Sequence, residues 1–239
     1  MSGCPASQKP TLQIFAASSL TEVFRDLKRE FEKQNPAARV TLNFAGSQVL
    51  RLQWEQGSHA DLFASADQSH SKALAKAGLL KQPQRFAFNK LAVIVPRKRS
   101  QSIQTLRDLS RLSSLVIGTP QVPIGHYTQL FFSKTAKVLG PDFSRDLKRK
   151  IVSQEKNVRL VRAKVELGHV DAAIVYKTDA LASKHVVMLP LPRSLHVSVT
   201  CTIGLHPRAK QPLLANKWLV LLRSARGKAL LQKRGFVVP

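Results

Sequence analysis

Short apolar runs alternate with helix-period segments almost from end to end, and this alternation most restricts the fold. Leu12-Gln13-Ile14-Phe15, Val40-Thr41-Leu42-Asn43-Phe44 and Asp61-Leu62-Phe63-Ala64 read as strands. Between and after them, residues 19–33, 47–55 and 67–77 have helical period; in the first, Leu20, Val23, Leu27 and Phe31 share one face. The order βαβαβα predicts a parallel sheet covered by helices. A long strand over 86–96 follows. A second α/β series then runs through Leu115-Val116-Ile117-Gly118, a helix over 124–139, Lys150-Ile151-Val152, a helix over 157–168, and Ala172-Ala173-Ile174-Val175. A second long strand over 195–205 and helical segments over 212–222 and 225–234 complete the chain. No Gly/Ser/Pro-rich linker separates the two series. The two long strands are the only connections on offer, so the pattern predicts two α/β lobes, each with its own sheet. Lobe one is expected over 11–88 plus 199–239 and lobe two over 89–198, with 1–10 a flexible leader.

Size and charge set further bounds. At 239 residues the chain is long enough for one large or two small cores. Hydrophobic residues at 44% and charged residues at 22% argue against extensive disorder. No run of 18 apolar residues exists to cross a membrane as a helix. The charge is the anomaly: Lys and Arg number 38 against 14 Asp and Glu, a net +24. Asp179 is the last carboxylate side chain, and residues 180–239 carry ten Lys or Arg. This balance suits anionic partners of any kind and says little about fold. Two cysteines are too few for a disulfide scaffold. Cys201, in an alternating strand, is expected in the core. Cys4, in Ser2-Gly3-Cys4, resembles the end of a bacterial lipoprotein signal and is a candidate lipid anchor.

Four strand-to-helix turns look alike. They are Ala16-Ala17-Ser18-Ser19-Leu20, Phe44-Ala45-Gly46-Ser47, Thr119-Pro120-Gln121-Val122-Pro123-Ile124-Gly125 and Gln154-Glu155-Lys156-Asn157-Val158. Ser19 and Glu22 have capping-box spacing with Ser18 as competitor, Pro123 suits a first helical turn, and Asn157 suits an N-cap. Each helix start presents free N–H groups and a positive dipole end, a ready anion site. In open α/β sheets such ends gather at the carboxyl edge of the strands. Caps alone explain any one turn; the joint pattern points to a small anion.

The chain resembles the molybdate-binding proteins of bacterial ABC importers, over about 12–238. The resemblance is carried by Phe15-Ala16-Ala17-Ser18-Ser19-Leu20-Thr21, the block from Ala60 to Gln68, Val122-Pro123-Ile124-Gly125-His126-Tyr127, Asn157-Val158-Arg159, and the block from Ala172 to Ala180. It implies the two-lobed type II periplasmic-binding-protein fold, each lobe a mixed sheet flanked by helices, joined by two crossing strands. It also implies a cleft for a tetrahedral oxyanion, molybdate or tungstate, and a membrane permease as partner. Carried over by motif, Ser19 and Ser47 give hydroxyl and backbone N–H donors, Ile124 and Val158 give backbone N–H groups, and Tyr176 gives its phenolic O–H. Gly46 stands where a small polar residue is common, and Ile124 replaces a frequent Ala. About seven charge-assisted bonds at roughly 1.5–3 kcal/mol each, less association costs, reach the ~10–12 kcal/mol of a nanomolar site. The implied protein is an extracytoplasmic monomer that acts as a carrier, with no catalytic residues, no cofactor and no metal held by side chains.

Rival readings have less to stand on. Ser69-His70-Ser71-Lys72 has S-x-x-K spacing but lacks the companion motifs of acyl-transfer enzymes. The seven histidines show no metal-ligand spacing. His126, two residues after Ile124, is the one His with a possible influence on the cleft. Tyr127 and Tyr176 are the only tyrosines, too few for a ferric site. Sulfate or another small oxyanion is the alternative ligand. A nucleic-acid role rests on charge alone, since no such motif is present, so no nucleic-acid partner is expected.

Overall fold

The computed structural model describes residues 9–239. Cys4 and the leader up to residue 8 lie outside the described residues. The first series is strand β1 (Thr11–Ala17), helix α1 (Thr21–Gln34), β2 (Arg39–Ala45), α2 (Ser47–Glu55), β3 (Leu62–Ser65) and α3 (Ser69–Lys76). Strand β4 (Lys81–Pro96) leads out of it. The second series is β5 (Leu115–Gly118), α4 (Pro123–Leu139), α5 (Pro141–Arg149), β6 (Ile151–Glu155), α6 (Val158–Glu166), β7 (Ala172–Tyr176), α7 (Lys177–Leu181) and β8 (Val186–Met188). Strand β9 (Ser198–Leu205) returns, and α8 (Pro212–Arg223) and α9 (Ala225–Lys233) follow.

The strand order is β2-β1-β3-β9-β4-β7-β5-β6, with β8 on β4. β1 pairs in parallel with β2 and β3, and β5 in parallel with β6 and β7. The two long strands are antiparallel neighbours and connect the lobes. Along β4 the partner changes: Lys81 to Lys90 pair with β9, and Leu91 to Pro96 pair with β7 and β8. The two expected sheets therefore run into one another through β4, which at 16 residues is long enough to serve both.

Helix α1 buries Val23, Phe24, Leu27 and Phe31, as its period requires. Phe24 and Phe31 pack on Trp218 of α8 with ring centroids 5.6 and 5.5 Å apart. This ties the chain's last segment to α1 of the first series. Cys201 is buried in β9, and burial pushes its thiol pKa up to about 12.

Several boundaries differ from the sequence reading, each for a local reason. β4 starts five residues early, but register shifts on either side of Gln84 and Arg85 break its alternation. A helical turn over Arg193–Leu195 delays β9 to Ser198. Helix α5 was not anticipated: Gly140 adopts φ +98° and Pro141 starts a new helix at once. The short α7 and β8 are also additions. No helix among the described residues is long and apolar enough to cross a membrane.

Candidate functional site

The parallel strands β1, β2, β5 and β6 each end at a turn that starts a helix, so four helix N-termini converge between the lobes. The turns differ in construction. Ser18–Leu20 forms a single 3-10 turn and α1 begins at Thr21 without a side-chain cap. The expected Ser19–Glu22 capping box is therefore absent, and the Glu22 carboxylate instead accepts from Arg159 Nη1 at 2.6 Å. Gly46 precedes α2 with no side-chain cap. Pro123 occupies the first turn of α4, and Asn157 caps α6 by accepting from the N–H groups of Arg159 and Leu160. At Gly125 any Cβ would run into the carbonyl oxygens of Thr119 and Gly118, so only glycine lets α4 start this close to the end of β5.

Ser19, Ser47, Ile124, Val158 and Tyr176 all line one cavity, joined there by Ala17, Ser18, Gly46, Ala66, Val122, Pro123 and Asn157. The lining contains no charged side chain. The cavity holds about 10 Å³ for the centre of a water-sized body. That is the scale of one water, far below the roughly 300–1,000 Å³ of drug-sized ligand sites.

The donors are free. First-turn amides have no intrahelical partner. Among the described residues, no turn or cap hydrogen bond uses the N–H of Ser47, Ile124 or Val158. Ser47 Oγ accepts from the Ala66 N–H at 3.2 Å, which leaves its own proton to donate. Tyr176 is 1% exposed, yet its hydroxyl has no partner among the described residues. Burial, with smaller contributions from Tyr127, Asp67, Cys201 and Asp179, pushes the Tyr176 pKa well above 10. The group stays a neutral O–H donor at physiological pH. A buried, unpaired hydroxyl is costly without a ligand.

Ile124 is 1% exposed, and its Cγ2 fills the space over Gly118 where a Cβ would otherwise sit. The larger side chain is thus accommodated against Gly118. His126 is exposed, stacks edge-on to Tyr127 at 5.5 Å and does not line the cavity. The Ser69-His70-Ser71-Lys72 run is structural: the Ser71 hydroxyl pairs with Thr202 Oγ1 at 2.7 Å. No group of three or more His, Cys, Asp or Glu among the described residues is arranged to hold a metal. Sequence reasoning treated Ser18 only as a cap; it is 6% exposed and lines the cavity. The side-chain contacts Gln48–Lys156 and Arg159–Glu22 between the lobes carry no local signal, since they join residues more than a hundred apart.

A family model for bacterial extracellular solute-binding proteins matches residues 12–237. The chain is a bacterial extracellular solute-binding protein. This solute-binding protein is 33% identical over 238 residues to the molybdate-binding protein ModA of Mycobacterium tuberculosis, covering 98% of this chain and 87% of that one. It is 30% identical over 247 residues to ModA of Haemophilus influenzae, covering 97% and 91%. The periplasmic molybdate-binding protein of Azotobacter vinelandii superposes with a TM-score of 0.81 at 18% identity, covering 95% of this chain and 99% of that one. The last comparison shows the shared two-lobed fold.

Proposed function

We propose that this solute-binding protein captures molybdate or tungstate between its lobes and delivers it to the membrane permease of an ABC importer. The observation that carries the reading is the buried Tyr176 hydroxyl, without a partner among the described residues, in a small cavity lined by helix-start residues whose amides no turn or cap bond uses. A fully deprotonated tetrahedral dianion only accepts hydrogen bonds, and this lining mostly donates. Ser19 and Ser47 supply hydroxyl and amide donors, Ile124 and Val158 supply amides, and Tyr176 supplies its O–H. We assign 11–88 plus 199–239 to lobe one and 89–198 to lobe two, with the change of partner along β4 as the support.

The chain acts as a carrier and not as a catalyst: the lining holds no nucleophile–base pair, and the anion requires no cofactor. It works as a monomer outside the cytoplasm, and Cys4 is the candidate lipid anchor. Names borne by relatives and membership of an extracellular family support this reading. Calorimetry against molybdate, tungstate, sulfate and phosphate tests it. Tight binding of the first two is expected; no binding of either refutes the proposal.

A further inference from the structure

The N-terminus of α6 belongs to lobe two, yet it is held from two sides by lobe one. Gln48 Nε2, in the first turn of α2, donates to the Lys156 carbonyl at 2.8 Å across 108 residues of sequence. Arg159 Nη1 donates to Glu22 Oε1, in the first turn of α1, at 2.6 Å across 137 residues. These contacts fall two residues before and one residue after Val158, which lines the cavity.

Two features make little sense unless these contacts matter. Arginine in the first turn of a helix is disfavoured by the helix dipole, so Arg159 gains nothing from its own helix and is compensated by Glu22. Gly46 has an ordinary φ of −61° and needs no glycine for backbone reasons. A Cβ there would lie 2.7 Å from the Lys156 carbonyl oxygen and 2.5–2.6 Å from the Gln48 amide. Only an absent side chain lets Gln48 reach across.

We propose that Gln48 and the Glu22–Arg159 pair form a two-sided clasp that sets how long the anion stays bound without touching it. This rests on the oxyanion reading above. The clasp positions the Val158 amide and closes after the anion has entered, so it acts on release and not on arrival. Gln48, Glu22 and Arg159 are positioning residues, and Gly46 is the opening that lets them meet.

The test is release of radiolabelled molybdate from the full chain into excess unlabelled molybdate. A net hydrogen bond and a partly exposed ion pair are each modest. Gln48→Ala and Glu22→Gln are each expected to speed release about two- to tenfold, with association within about twofold of wild type. Glu22→Gln combined with Arg159→Gln should release no faster than Glu22→Gln alone. Added salt should speed release from wild type and leave Glu22→Gln nearly unchanged, because only an ion pair is screened. Gln48→Ala keeps the test decisive if a Glu22 variant folds poorly. Wild-type protein that retains no molybdate overturns the oxyanion reading and the clasp with it. Wild-type retention with unchanged release from Gln48→Ala and Glu22→Gln overturns the clasp alone.

Discussion

Tyr176→Phe separates a ligand-binding hydroxyl from a structural one. The Tyr176 ring is fully enclosed and meets Tyr127 edge-to-face at a centroid distance of 6.5 Å. Phenylalanine keeps that packing. The hydroxyl has no partner among the described residues, so its removal orphans nothing and relieves an unpaired buried donor. Unfolding temperature without ligand should hold or rise slightly. With a dianion bound, the variant loses one charge-assisted hydrogen bond, about 1.5–3 kcal/mol, or roughly 10- to 150-fold in Kd. Tyr127→Phe is the matched control: the Tyr127 hydroxyl accepts a long bond of 3.4 Å from the Thr200 N–H and does not line the cavity. Its affinity should stay within about threefold of wild type. Isothermal calorimetry gives Kd and thermal denaturation gives stability for all three proteins. Wild-type affinity in Tyr176→Phe, or equal losses in the two variants, refutes the reasoning.

Ser47→Ala should weaken molybdate binding about 5- to 50-fold and also lower stability by ~1 kcal/mol, because the Ala66 amide loses its acceptor; calorimetry and melting read the two effects separately. Asp179 is buried with both carboxylate oxygens unpaired among the described residues, and burial raises its pKa to about 7, outweighing the Arg162 charge. The folded chain therefore holds a proton that the unfolded chain has released between about pH 4 and 7, so this group's stabilisation is lost as pH rises through 7. Asp179→Asn should raise the melting temperature more at pH 8 than at pH 5, and the opposite order in calorimetric melts disproves the assignment. Phosphate should bind at least about tenfold more weakly than molybdate, since hydrogen phosphate carries a proton that the lining, without a carboxylate, is poorly equipped to accept; equal affinities in a competition titration contradict the neutral-donor site.

Periodicity made most of the architecture legible, because a 3.6-residue or two-residue repeat is a local property. Val23, Leu27 and Phe31 fall on the buried face of α1 that their spacing announces. The cavity residues came by another route: helix-start signals such as Pro123 and Asn157 mark the turns, whereas the resemblance to molybdate-binding proteins is what singles out Ser19, Ser47, Ile124, Val158 and Tyr176 within and beyond them. What stayed hidden depends on the tertiary structure. Ser19 and Glu22 have ideal capping spacing, but the tight turn over Ser18–Leu20 removes the cap and Arg159 claims the carboxylate. The two sheets looked separable because no sequence pattern shows a strand changing partners midway, as β4 does after Lys90. Helix α5 was lost because Gly140-Pro141 reads as a stop, whereas here it is both a stop and a start.

The excess of positive charge and the neutrality of the lining fit together once rate and selectivity are separated. Each helix N-terminus carries about half a positive charge. Four converging ends thus supply about two, enough to balance a dianion without any ammonium or guanidinium. These dipoles are fixed by the backbone and hold their donors at set positions, whereas a flexible cation accepts any nearby anion. The net charge of +24 lies outside this shell. There it draws anions toward the cleft at a rate that falls with salt, while leaving their ranking to the donors. Arg159 is the cation that could blur this division, because it follows Val158 directly at the cavity. Its guanidinium is instead bonded to Glu22. The carboxylate that joins the lobes therefore also occupies the nearby cation, and an anion bound as proposed would meet only neutral donors.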